Sequence, residues 1–440
     1  MITPDRTKAP AVRELQGMRL PAVDKFTLPN GIRLVVLDSG RQPVSRLQLS
    51  WDGGEYDVPG RAAVKVLAAT INEGTATRTG ARIAETLEYN GAWTKYEVTT
   101  HAFTATLYGL NRRAAEVVPV FTNVLQNPIF PEEVIETQRT KLASQNALEL
   151  KKVTTRVRNL DRPMLYGASH PAAAIPTPES YLGVTRSEVT DLYRRWIAAT
   201  PPVAYLSGRI TPELLAIVRQ QLSAMTFTPV DDPLRKQIIP ARFNADGDFR
   251  TDLMPDALQS AIRMSIPVIP RSHPDYIDLR YACIALGGYF GSRLMTNIRE
   301  EKGYTYGINS QIFSGQGEGS FITVSSQTDN RYVDAVIEET RREIDRMAAE
   351  PMGAEELDGV RHLQLSAMAS VLDSPFSVID YISMLDTLGF PYSYYTRQIE
   401  RLSALTPRTL QRVMAEHVAG RPQLIAVAGN YSPNIPQNNE

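Results

Sequence analysis

At 440 residues the chain is too long for one ordinary domain, and two or three are expected. Hydrophobic residues make up 43% and charged residues 22%, the balance of an ordinary soluble globular protein. The formal net charge of −1 argues against a nucleic-acid or anionic-membrane partner. No apolar window reaches the length of about 18 residues that a membrane span needs. The N-terminal stretch MITPDRTKAPAVRELQG lacks the apolar core of a signal peptide, so the cytoplasm is the expected compartment, or the periplasm if a leader has been removed.

In chain order, residues 1–24 read as an extended polar arm. Residues 25–37 read as strand, Asn30-Gly31 turn, strand, the strongest short hairpin signal. A strand is expected over 45–52 and an Ala/Val/Leu-rich helix over 60–72, stopped by Gly74. Thr79 caps a helix through Tyr89. Alternating strands occupy 93–110, a helix 112–125, and Pro131 opens a longer helix to about Lys152. Thr185 caps a further helix, and 202–208 is a strand. The second half then restates the first: strand 260–267, apolar helix 276–287, strand 321–326 and helix 333–348. A steady offset of about 220 residues means a duplicated domain, not a solenoid. The expected organisation is an arm (1–24), an N-terminal domain (25–220), a polar, proline-rich linker (221–249) and a C-terminal domain (250–433). The single cysteine, Cys283, lies in the apolar run YACIALGG and reads as a packing residue.

One stretch stands out for chemistry, Gly288 to Ser310. It predicts a short amphipathic helix over 293–302, with Leu294, Met295 and Ile298 on one face and Arg299 on the other. Gly303 supplies the left-handed stop, and Tyr304 and Tyr306 follow on one side of a strand. Arg299 offers a permanent cation and a planar fork of donors; a tyrosine hydroxyl can donate to a developing oxyanion. The plain alternative is a solvated helix end followed by an aromatic strand. The five histidines, His101, His170, His273, His362 and His417, are scattered, none paired with another at metal-ligand spacing, and are expected in packing or at the surface. Neither a G-x-S-x-G elbow nor a phosphate-cradling P-loop occurs, which argues against hydrolysis of another chemistry.

Several motifs occur in one order: Leu28-Pro29-Asn30-Gly31, Glu73-Gly74-Thr75, Phe130-Pro131-Glu132-Glu133, Leu165-Tyr166-Gly167 with His170-Pro171, and SRLMTNIREEKGYTYGI. Over nearly its whole length the chain resembles the pitrilysin/insulinase-type (inverted zincin) metallopeptidases, in particular their small bacterial two-subunit branch and mitochondrial processing peptidase. The resemblance implies an α+β fold of two tandem homologous domains, each an antiparallel sheet with helices packed on one side. In such proteins H-x-x-E-H on the first long helix binds zinc, and the intervening glutamate polarises the metal-bound water. Counting back from Gly74-Thr75, these positions fall on Lys65, Ala68 and Ala69, and the region of the third ligand falls near Gln145 and Asn146, with Glu149 about a turn away. Alanine offers no donor and a lysine ammonium repels a metal, so no catalytic zinc is expected in this chain. Lys65 could instead supply positive charge near the vacated metal position, or be an ordinary exposed lysine.

By the same resemblance Arg299 and Tyr306 match the pair that holds a substrate carbonyl and stabilises the oxyanion across from the zinc. Tyr289, Tyr304 and Phe290 could add apolar contact to an extended substrate. The expectation is a zinc-less subunit, inactive alone, that contributes Arg299 and Tyr306 in trans to a zinc-bearing homologous partner acting on unfolded peptide. The alternative is an inactive peptide-binding or scaffold protein, possibly a homodimer.

Overall fold

The computed structural model describes Thr7 and residues 17–433 apart from Pro59 and Gln316. Most of the expected N-terminal arm therefore lies outside the described residues. Thirteen strands are found among the described residues: β1 (Asp24–Thr27), β2 (Arg33–Asp38), β3 (Val44–Asp52), β4 (Gly74–Thr75), β5 (Arg78–Thr79), β6 (Trp93–Val98), β7 (Ala102–Leu110), β8 (Val203–Gly208), β9 (Asp248–Leu253), β10 (Gln259–Pro267), β11 (Thr305–Ser314), β12 (Ser320–Asp329) and β13 (Leu424–Gly429). The first half carries helices α1 (Arg61–Thr70), α2 (Gly80–Tyr89), α3 (Ala114–Gln126), α4 (Glu132–Glu149), α5 (Val153–Tyr166), α6 (Pro178–Leu182), α7 (Arg186–Arg195) and α8 (Pro212–Ser223). The second half carries α9 (Tyr276–Gly287), α10 (Val333–Ala349), α11 (Ala354–Ser370), α12 (Pro375–Leu388), α13 (Ser393–Ser403) and α14 (Pro407–His417). Residues 224–247 form no helix or strand.

One sheet runs β1-β2-β8-β3-β7-β6 and the other β11-β12-β10-β13-β9. Both are mostly antiparallel, but β2 pairs parallel with β8, and β9 parallel with β13. The Asn30-Gly31 turn is present, with Gly31 at φ +88°. The Asn30 amide donates to the carbonyls of Leu222 (2.7 Å) and Met225 (2.9 Å), fastening the turn to the end of α8. Thr79 accepts the Arg82 N–H as the expected cap, and Thr185 forms a capping box with Glu188.

Each sheet buries one face against helices of its own half. On the first, Leu47, Leu49, Phe103 and Leu206 meet α1, α3 and α7; on the second, Ile262, Met264, Ile322 and Val427 meet α9, α10 and α14. The opposite faces are covered by exchange. Helix α5, from the first half, lays Val157, Met164 and Leu165 on Ala261, Phe321, Leu424, Ala426 and Ala428 of the second sheet. Helix α12, from the second half, lays Val378, Ile379 and Ile382 on Val35, Leu37 and Tyr205 of the first. Val153 and Pro375, the first residues of α5 and α12, lie 222 positions apart, so the loan is reciprocal between equivalent elements of the duplication. The helices are thus not confined to one side of each sheet. Polar contacts pin both exchanged helices: buried Asp161 of α5 accepts from Arg263 Nε (2.7 Å) and Ser265 Oγ (3.0 Å), and Arg46 of β3 donates to Asp380 of α12 (2.5 and 3.1 Å). Ile382→Val should cost about 1 kcal/mol in urea unfolding, with one cooperative transition retained because α12 binds the halves into a single unit. Two separated transitions would contradict that coupling.

Candidate functional site

Arg299 lies on a seven-residue π-helical turn, Met295–Glu301, rather than on an α-helix. Its wide winding is closed by Lys302 N–H donating to Asn297 O (3.1 Å), an i to i−5 bond. Buried Leu294, Met295 and Ile298 anchor the turn on the core of the second half, as their spacing predicts. Its polar groups are held by neighbours: Arg293 makes a two-pronged pair with Glu356 (2.7 and 3.0 Å), and Asn297 donates to Glu343 (2.7 Å). Lys302 donates to Asn297 (2.7 Å) and pairs with Glu339 (3.0 Å). Arg299 has no hydrogen bond or ion pair among the described residues. Its guanidinium carbon lies 4.5 Å from the centre of the Phe290 ring and 5.2 Å from that of Tyr306. Two rings therefore support the cation while its donors stay unused among the described residues.

Tyr306 reaches that position through a β-bulge. Thr305 pairs with Thr328 and Gly307 with the adjacent Gln327, so two steps along β11 match one along β12. The Thr305 hydroxyl holds the bulge, accepting from the Gly307 N–H (3.1 Å) and lying 2.7 Å from Gln327 O. Without the bulge, Tyr306 would share the inward face of Ile308 and Ser310, because strand side chains alternate. With it, Tyr306 is 87% exposed. Tyr304 and Tyr306 accordingly part company, contrary to the expected shared side. Tyr304 stacks on Tyr332 with ring centres 4.7 Å apart, while Tyr306 stands with Arg299. Gly303, at φ +66°, makes the left-handed turn between helix and strand. Phe290 is 63% exposed and joins the site; Tyr289 packs against the core of the second half.

The residues matched by resemblance to the zinc motif, Lys65, Ala68 and Ala69, lie on α1 and form no ligand set. Lys65 forms an ion pair with Glu55, which is also bonded by Arg61. Burial alone would raise the Glu55 carboxyl, but its bonds to Arg61 and Lys65 outweigh this and hold it below the usual range. Ala68 packs against the core of the first half, and Ala69 is half-buried. On α4, Asn146 Oδ1 is buried without a partner, Gln145 is exposed, and exposed Glu149 pairs with Lys152 (2.6 Å). One amide oxygen, two alanines and an ammonium already neutralised by a carboxylate do not fit a zinc ion, which needs at least three donors.

The histidines resolve into three environments besides exposed His362. His170 caps the short turn after it and bonds Ile239 O (2.9 Å), a packing role. His101 is buried between two carboxylates, Asp57 (3.1 Å) and Glu318 (2.5 Å). His273 and His417 do come together, with ring centres 5.3 Å apart and Asp275 beside them. Sequence spacing gave no signal of this, because 144 positions separate the two. Cys283 is buried, its thiol lifted to about 12 by burial, in keeping with a packing role. No helix among the described residues is long and apolar enough to cross a membrane.

Residues 183–363 match the family described as the peptidase M16 inactive domain. An uncharacterised zinc protease of Streptomyces coelicolor is 22% identical over 92% of this chain and 89% of its own length. A non-peptidase homologue of Helicobacter pylori, YmxG, is 22% identical over 60% of this chain and 61% of its own length. Among solved structures, a peptidase M16 inactive domain from Pseudomonas fluorescens has the same fold, with a TM-score of 0.83 at 20% identity over 94% of this chain and all of that one. These findings bear out the resemblance to pitrilysin/insulinase-type peptidases: residues 183–363 match the peptidase M16 inactive domain, and the fold is shared with a solved M16 inactive domain.

Proposed function

We propose that this chain is the zinc-less subunit of a two-chain metallopeptidase, lending Arg299 and Tyr306 to peptide hydrolysis on a zinc-bearing M16 partner. The observation that carries the reading is the state of Arg299. Its guanidinium is fixed between two rings, yet among the described residues none of its five donors is engaged. A cation left unpaired beside an exposed tyrosine hydroxyl is suited to receive a peptide carbonyl and the oxyanion that forms from it. The helix that would carry zinc offers no donor set, so water activation has to come from the other chain. The partner's own sheet and this one would flank an unfolded peptide.

The test is reconstitution. The purified chain alone should leave an unfolded peptide intact. Mixed with a zinc-bearing M16 homologue from the same genome, it should form a complex on size exclusion and cleave the peptide. Cleavage by the chain alone would sink the proposal, as would a homologue whose activity is indifferent to this chain. The relative named a non-peptidase homologue favours a second reading, in which the duplicated fold binds peptide without cutting. Complex formation and peptide capture with no hydrolysis would select that one.

A further inference from the structure

We infer that His273, Asp275 and His417 form a binding site for a divalent transition-metal ion, with zinc the best match to two imidazoles and a carboxylate. The site goes beyond the proposed function and does not depend on it. It joins the start of α9 to the end of α14. The twelve residues of α9 separate it from the segment that carries Arg299, about 18 Å along the helix axis.

The three side chains each offer a ligand atom, and these atoms lie within 4.8 Å of one another. Four ligands around a tetrahedral zinc stand about 3.4 Å apart at the usual bond lengths, so the widest of these separations needs to close by up to about 1.4 Å. Neighbouring bonds hold them near that arrangement. The Asp275 N–H donates to His273 Nδ1 (3.1 Å), which holds the ring beside Asp275; this bond gives way when the lone pair turns to an ion. His417 Nε2 lies 3.0 Å from Asp275 Oδ2, and an ion would take the place of the proton they share. Arg412 holds both Asp275 oxygens (2.8 and 2.9 Å) and also bonds Glu416 (2.7 Å). By keeping Oδ1 it would orient the carboxylate while Oδ2 turns to the metal, the role a neighbouring donor plays around many metal ligands. Glu416 Oε2, 3.9 Å from His417 Nε2, offsets the guanidinium charge, so the cation is not opposed by a net positive site. All three ligand residues are half-buried, within reach of an ion from solvent.

The experiment titrates the tag-free full-length chain with Co²⁺, followed by visible absorption, and then displaces it with Zn²⁺. The expected result is one strongly absorbing equivalent, lost on zinc addition, together with a metal-dependent rise in melting temperature. His273→Gln and His417→Gln should each weaken Co²⁺ affinity at least about tenfold, whereas His362→Gln, at an exposed position elsewhere, should leave it unchanged. Circular dichroism of metal-free samples would verify that the variants fold, and His273→Gln, which removes only a half-exposed ring, serves if His417→Gln does not. No bound equivalent in the parent chain, or an unchanged equivalent in His273→Gln, would overturn the inference.

Discussion

In the reconstituted pair, Tyr306→Phe should lower kcat for an unfolded peptide by about 10²–10³, the usual effect of deleting one oxyanion donor. KM should move little, because the hydroxyl acts where charge develops and not in holding the ground state. The phenyl ring still supports Arg299 through its face, so the change isolates the O–H. Arg299→Ala removes both the cation and the filling between Phe290 and Tyr306, and should reduce kcat/KM at least as far, partly through KM. Arg299→Lys should recover only a fraction, since an ammonium keeps the charge without the planar fork that stacks on rings and grips a carbonyl. Both positions are at the surface of the second half, so stability should stay within about 0.5 kcal/mol of the parent and complex formation should persist. Full activity in Tyr306→Phe with an intact complex would remove the trans role from this residue pair.

How much of this was legible beforehand depended on whether the signal was local. The Asn30-Gly31 turn, the caps at Thr79 and Thr185, the left-handed Gly303 and the inward set Leu294, Met295 and Ile298 all depend on residues within a few positions of each other, and each is found where its pattern placed it. The duplication was also visible, because equivalent helices kept their spacing. The exchange of α5 and α12 was not. An amphipathic pattern shows that a helix has a face to bury, but not which sheet will receive it. Asp161 in α5 looks like a surface acid until Arg263 and Ser265, about a hundred residues on, are placed opposite it. The bulge at Thr305–Gly307 was equally hidden, since alternation assumes an unbroken ladder, and it decides which way Tyr306 points. At Lys65 the missing ligands were plain from the sequence; that Glu55 would neutralise the lysine was not.

The other large effect expected lies at His101, where an imidazole from the first half bridges Asp57 of its own half and Glu318, in the β11–β12 connection of the second. All three are buried, with 9%, 6% and 4% of their surfaces exposed. Burial by itself would drive the imidazolium pKa down. The hydrogen bonds and charges of the two carboxylates outweigh it and lift the value to about 9. The pKa in the unfolded chain is about 6.5. A group whose pKa is raised by folding stabilises fully below the unfolded value and loses that contribution as pH climbs through the folded one. The window here is therefore about pH 6.5 to 9, and the shift corresponds to roughly 3 kcal/mol, to order of magnitude. Below pH 6 this group should contribute no slope. His101→Ala would strand two buried carboxylates, which should cost about 3–5 kcal/mol at pH 7. It should also flatten the fall in stability between pH 6.5 and 9, because the titrating bridge is gone. His101→Gln keeps a donor for one carboxylate but no charge, and should fall between the parent and the alanine variant. Urea unfolding of the three proteins at closely spaced pH values would decide it, alongside an NMR titration of the five histidines. An imidazole at position 101 that titrates near 6.5, or a parent chain whose stability is level from pH 6.5 to 9, would show that the two halves are not held together by a buried charge.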